Sequence, residues 1–203
     1  MKRIARFLTW FAIPALAGCI SLGAPTPPSH FYLLGAAPAP VPAGPVQGEL
    51  QLTLVALPAY LDRPQLVTRR NEQELEIAPF ERWGEPLATG ITRVLAATLR
   101  QRLPELVVVA GAESATRAAT GRLQVSFDRF EGNQASGQVE LAARWQLATP
   151  AGAILARGQV ELVAPWPERS ASSLVEGYDQ LLARFGGELA RQVALVLIPA
   201  RAG

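Results

Sequence analysis

Few side chains in this 203-residue chain could do covalent chemistry. There is one cysteine, Cys19, and one histidine, His30. A single thiol closes no intrachain disulfide and is too little for a cysteine-based metal site. A lone imidazole at the end of a proline-rich stretch is a poor base or ligand, so His30 reads as a surface residue. No G-x-S-x-G turn, glycine-rich phosphate loop or metal-ligand cluster occurs. Glu72, Glu74 and Glu76 alternate along one candidate strand. They read as a solvated face. The residues predict no catalytic set, no metal and no cofactor, which leaves Cys19 as the one position where chemistry is expected.

Cys19 closes the stretch Leu16-Ala17-Gly18-Cys19. Ahead of it lie Lys2, Arg3 and Arg6, then an apolar run from Phe7 to Ala17 interrupted by Pro14. That run is too short for a membrane-spanning helix, which needs about 20 residues. A basic start, a short apolar stretch and small residues describe a secretory signal. Leu-Ala-Gly-Cys matches the bacterial lipobox. There the thiol takes a diacylglycerol, the signal is cut, and the new amino group is acylated. Sulfur suits this step as a nucleophile once partly ionised. Each buried methylene contributes about 0.8 kcal/mol, and two or more chains anchor stably. Cys19 is thus expected to be the lipidated first residue, carrying diacylglycerol and an N-acyl chain. Ile20 follows it, and by the sorting rule for such lipoproteins a residue other than Asp implies export to the periplasmic face of the outer membrane.

The formal charge of +2 belongs to the signal, which holds three basic residues and no acids. The rest carries sixteen arginines, no lysine and seventeen acids, so its charge gives no case for nucleic acid. The expected divisions are residues 1–18 as signal, 19–30 as lipidated N-terminus and tether, and 31–203 as one periplasmic domain. The tether sequence Ile20 to His30, "ISLGAPTPPSH", is small, polar and proline-rich. It reads as extended chain.

The domain begins with a short strand at Phe31–Leu34 and a proline-rich loop from Gly35 to Gly48. Glu49–Leu57 reads as a strand covered on both faces. Gln65–Arg70 and Gln73–Ala78 follow as strands, with a turn at Asn71-Glu72. Glu85 and Pro86 fit the first turn of a helix. Its apolar stripe is Leu87, Ile91, Val94, Leu95, Leu99 and Leu103, and Pro104 marks its exit. Leu106–Ala110, "LVVVA", reads as a buried central strand parallel to the one before the helix. Three alternating segments then predict an antiparallel meander with one wet face: Leu123 to Phe127, Val139 to Leu147 and Val160 to Ala164. A last helix is expected from the capping-box spacing of Ser173 and Glu176. Leu174, Tyr178, Leu181, Leu182, Phe185, Leu189, Val193 and Val196 form its stripe, and Pro199 ends the fold. Gly186-Gly187 interrupts that stripe. Close helix–sheet contact explains the pair, and a partner or hinge site is the alternative. The fold class is α/β: a single domain with a mixed sheet, an antiparallel meander and two main amphipathic helices.

Two segments stand apart, Leu57–Arg70 ("LPAYLDRPQLVTRR") and Phe80–Leu87 ("FERWGEPL"). Pro58 and Pro64 bracket Tyr60, Leu61, Asp62 and Arg63 as a tight loop. Exposed Tyr, Trp and Arg are enriched at binding hot spots, which marks Tyr60, Asp62, Arg63, Arg69, Trp83 and Glu85 as candidate partner-binding residues. A local reading stands beside it: Asp62 caps a turn, Trp83 packs over the helix start, and Arg69 pairs with a nearby carboxylate.

The lipobox, the early "FYLL", "LPAYLDRPQLVTR" and "RWGEPL" before an amphipathic helix together resemble the PqiC/YmbA-type lipoproteins. These are the ABC-type transport auxiliary lipoproteins. The resemblance runs from Cys19 through the last helix and is sharpest from Pro58 to Leu103. One departure is Gly84, where Ala is expected. The resemblance implies a non-catalytic docking subunit of an MCE-type intermembrane lipid transport system, anchored in the outer membrane. Its implied partners are an MCE-domain protein that spans the periplasm and that protein's inner-membrane transporter. Docking on a symmetric tube would favour a homo-oligomeric ring. The competing readings are a structural lipoprotein that assists another cell-envelope complex and, further off, a periplasmic enzyme.

Overall fold

The computed structural model describes residues 27–35, 43–111 and 119–197. Cys19, the signal and most of the tether lie outside the described residues, as does Pro199. Eight strands and two long helices follow in the order β1 (His30–Tyr32), β2 (Gly48–Ala56), β3 (Gln65–Asn71), β4 (Glu74–Trp83), α1 (Leu87–Arg102), β5 (Leu106–Ala110), β6 (Gly121–Asn133), β7 (Gln138–Ala148), β8 (Ile154–Pro165) and α2 (Ala171–Leu197). A 3-10 turn at Ala59–Leu61 joins β2 to β3.

All eight strands belong to one mixed sheet, organised around β6. One edge of β6 pairs antiparallel with β7 along its whole length, and β7 pairs with β8. This is the expected meander. The other edge of β6 is shared end to end. Its first half pairs parallel with β2, from Leu50 opposite Gly121 to Ala56 opposite Ser126. Its far end pairs parallel with β3, at Thr68–Gly132 and Arg69–Asn133. From there the sheet forks, with β5 beyond β2 and with β4 and then β1 beyond β3.

Both helices lie on one face of this sheet. The period-two residues Leu123, Val125, Leu141 and Leu147 meet the period-3.6 residues Ile91, Leu95, Leu99, Leu182, Phe185 and Leu189, all buried. Each such side chain stabilises the fold by about 1.5–3 kcal/mol through its burial. The edge of Phe185 meets Phe127 at 5.8 Å between ring centroids, in the T-shaped geometry that aromatic quadrupoles favour.

Several expectations are corrected. Leu106–Ala110 is an edge strand, not a central one, with Val107 60% exposed. It pairs parallel with β2 and not with β4, the strand just before the helix. Burial of β2 on both faces holds only for Leu50 to Leu52, and Val55 and Ala56 are exposed. The β3–β4 turn is Glu72-Gln73, one residue later than expected. Trp83 is the last residue of β4, and α1 starts at Leu87 with Pro86 at the cap, so Glu85 lies before the helix. The α2 cap is Ser170, whose Oγ accepts from the Ser173 N–H at 3.2 Å. Gly186-Gly187 makes a helix–helix contact in place of a helix–sheet one. A Cβ on Gly186 would sit 2.8 Å from Thr98 Cγ2 of α1, and one on Gly187 would sit 3.1 Å from the Arg102 guanidinium carbon. The close helix–sheet approach comes at Gly177 instead, over Val139 of β7.

Candidate docking face

The sheet face away from the helices is open, and register assigns residues to it. Trp83 packs on Tyr178 of α2, so Trp83 and its register partner Tyr32 face the helices. Alternation then puts Arg82 and its partner Phe31 on the open face. By the same rule Val139 and Leu141 face the helices. Glu140 and its partner Glu131 face away.

Glu131 is nonetheless 0% exposed. Arg69 of β3 and Tyr60 of the segment before it account for this. The Arg69 Nε donates to Glu131, forming a buried ion pair. The Arg69 guanidinium lies 6.0 Å from the centroid of the Tyr60 ring, as a cation over an aromatic face. Burial, with the Glu131 carboxylate close by, pushes the Tyr60 hydroxyl up to about 12. Glu131 Oε2 still lacks a well-formed hydrogen bond. Around this pair, Arg129 bonds Glu140 at 2.8 Å and Asn133 bonds Glu140 at 2.8 Å. A carboxylate hidden from water needs this company, because an unpaired buried charge is costly.

The two conspicuous sequence segments meet here. The Pro64 carbonyl accepts from the Trp83 N–H at 2.7 Å. Trp83 is 8% exposed, and Tyr178 beyond it stacks on Phe130 at 4.3 Å. Burial and the Glu131 charge push the Tyr178 hydroxyl upward. Glu85 pairs with Arg93 at 2.5 Å, and Arg93 also bonds the Leu34 carbonyl at 2.8 Å. Of the six candidates, Trp83 is buried, Tyr60, Arg69 and Glu85 are partly buried and paired, and Asp62 is exposed. The Asp62 N–H bonds Ala59, ending the 3-10 turn. Arg63 is half-buried, and its Nε has no hydrogen-bond partner.

Sequence reasoning missed Glu131 and placed Tyr178 only in the apolar stripe of the last helix. A signal existed in "FDRFEGN". Phe127 and Phe130 are both buried although three residues apart, because a bulge at Asp128 resets the alternation. The acidic stripe is a solvated face: Arg70 pairs with Glu74 at 3.0 Å and Glu76 at 2.8 Å. His30 bonds Glu81 at 3.0 Å. Farther along the open face, a groove of about 550 Å³ is lined by Gln124, Ser126, Arg144, Gln146, Arg157 and Gln159. Among the described residues no acidic, histidine or cysteine group is arranged to hold a metal ion. None of the described helices is long and apolar enough to cross a membrane.

The fold has close counterparts. A crystal structure of an uncharacterized protein superposes with a TM-score of 0.68 at 22% identity, covering 82% of this chain and 99% of its own. Protein XCC0632 from Xanthomonas campestris, of the DUF330 family, superposes with a TM-score of 0.71 at 16% identity, covering 83% and 96%. At these identities the likeness concerns the fold. No curated protein matches the chain. The family model for the ABC-type transport auxiliary lipoprotein component matches residues 32–194, from β1 to the last turns of α2, and the chain belongs to that family, the PqiC/YmbA-type lipoproteins.

Proposed function

We propose that this lipoprotein is a non-catalytic docking subunit of an MCE-type intermembrane lipid transport system, held on the periplasmic face of the outer membrane through acylated Cys19. The observation that carries the reading is the placement of the Pro58–Pro64 segment. Its Tyr60 ring lies against Arg69, which pairs with buried Glu131, while Asp62 stays exposed. A rigid loop on an open face suits contact with a second protein, because little ordering is left to do on binding. Tyr60, Arg69, Trp83 and Glu85 then act beneath the surface, and Asp62 and Arg63 at it. A ring of copies would match the symmetry of an MCE tube.

The test is co-purification of the full-length lipoprotein, in detergent, with MCE-domain proteins of the same cell. Wild type should retain the partner. Arg63→Glu should weaken retention without lowering the melting temperature, since reversing a rim charge opens no cavity. Full retention by Arg63→Glu and Asp62→Arg would place the interface elsewhere. Capture of a different envelope complex would favour the assembly role. Fatty-acid labelling tests the anchor, because Cys19→Ala should lose all label.

A further inference from the structure

We propose that the patch formed by Phe31, Leu33 and Arg82 rests on the phosphate-bearing surface of the bilayer that holds Cys19. The inference builds on the anchor reading above and adds an orientation for the body. Phe31 is 67% and Leu33 59% exposed, on the open face at the β1 edge of the sheet. Between them Tyr32 turns the other way, and its hydroxyl donates to Glu81 at 2.6 Å. Gly84 leaves room for Leu33: a Cβ there would lie 3.1 Å from Leu33 Cδ2. Two large apolar side chains, one on edge strand β1 and one just past its end, stay mostly exposed among the described residues.

Arg82 stands beside Phe31 in register. Its guanidinium has no hydrogen bond or ion pair among the described residues, and its Nε is buried without a partner. The adjacent acid, Glu81, projects to the helix face and is occupied by Tyr32 and His30. The patch is therefore apolar and cationic together. That combination matches the outer layer of a membrane, where anionic phosphates lie over hydrocarbon.

Chain length selects this occupant over others. Only residues 20–29 separate Cys19 from the first residue of β1. In the extended form expected of a proline-rich tether, at about 3.1 Å per residue, that linker reaches roughly 31 Å. The β1 edge is thus the part of the body held nearest the acyl chains. Tethering at this range gives an effective concentration in the millimolar range, so a weak surface attraction is enough to seat the patch.

Single-cysteine probes on the full-length lipoprotein provide the test. The sulfur of acylated Cys19 is a thioether, so a cysteine introduced at position 31 is the one reactive thiol. Phe31→Cys, Leu33→Cys and, as a control on the far edge, Val107→Cys are labelled with an environment-sensitive fluorophore. Each is reconstituted into vesicles of phosphatidylcholine with or without phosphatidylglycerol. The probes at 31 and 33 should shift to the blue and resist an aqueous quencher, more so with phosphatidylglycerol, while the probe at 107 stays accessible. Adding Arg82→Glu to Phe31→Cys should restore quenching several-fold. Equal quenching at 31 and 107 in protein that floats with the vesicles would overturn the orientation and leave the anchor intact. Protection that arises only when the MCE-domain protein is added would assign the patch to a protein contact and overturn it too. Protein that fails to float would sink the anchor reading, and the orientation with it.

Discussion

The rings of Trp83 and Tyr178 lie 5.8 Å apart with their planes at 43°, joining the end of strand β4 to the long helix α2. Tyr178 in turn stacks on Phe130 of the central strand. Trp83→Ala should therefore cost about 3–5 kcal/mol, as for other large aromatic deletions in cores. Urea unfolding would measure it, and Trp83→Phe should recover a good part. A loss below about 1 kcal/mol would mean that the ring does little for stability.

Arg69 and Glu131 should behave as a unit. Removing one partner of a buried ion pair costs about 3–5 kcal/mol, because the other charge is left unpaired. Arg69→Met and Glu131→Leu are each expected in that range. Combined, they should lose far less than the sum. Additive losses in a double-mutant cycle would show that the two do not depend on each other.

Gly177 gives a steric prediction. A Cβ there would lie 2.4 Å from Val139 Cγ2, closer than atoms can approach. Gly177→Ala should destabilise by about 1–3 kcal/mol through overpacking. Val139→Ala in the same chain removes the clashing methyl and should return part of the loss. Thermal melts of the two single variants and the pair would decide it.

Asp179 gives a pH dependence. Burial raises its pKa, against the lowering effect of the Gly35 N–H at 2.8 Å and of the Arg93 charge. A carboxyl whose folded pKa exceeds its unfolded value, about 3.9, contributes its full stability below that value. The contribution is lost as pH rises through the folded pKa. At neutral pH the ionised group thus works against folding. Asp179→Asn keeps an oxygen for the Gly35 N–H and should melt higher than wild type at pH 7, with the advantage fading below about pH 4. A lower melting temperature at pH 7 would contradict this.

The meander and both helices were legible because their periods are local. Alternation from Leu123 to Phe127 and from Val139 to Leu147, and the stripe from Leu87 to Leu103, each need one element to be read. Sheet position is not local. "LVVVA" reads the same at the centre or the edge of a sheet, and among the described residues no strand pairs with β5 beyond β2, which leaves Val107 exposed. Gly186-Gly187 pointed to a close approach, but the neighbour, Thr98, lies on the other helix. The candidate residues were legible as types, and their depth was not. Trp83 has the composition of a hot spot and the burial of a core residue. The Phe127–Phe130 spacing marks the bulge but not the burial of Glu131, whose partners Tyr60 and Arg69 lie far earlier in the chain.

The fork beside β6 also sets a path for mechanical load. If the anchor reading holds, any pull between membrane and body enters at β1. It passes through the three register pairs with β4, then through the β3–β4 hairpin. From there it reaches the central strand at Thr68–Gly132 and Arg69–Asn133, reinforced by Gln134 bonding Arg69 and Thr68 and by the Arg69–Glu131 ion pair. The chain also carries load directly from β1 into β2, past the Gly35 N–H that bonds Asp179 of α2. Under tension the three-pair β1–β4 contact should give first while the meander stays folded. Arg69 and Glu131 then act as a rivet at the branch point, which single-molecule extension would register as a separate early rupture at lower force in Arg69→Met.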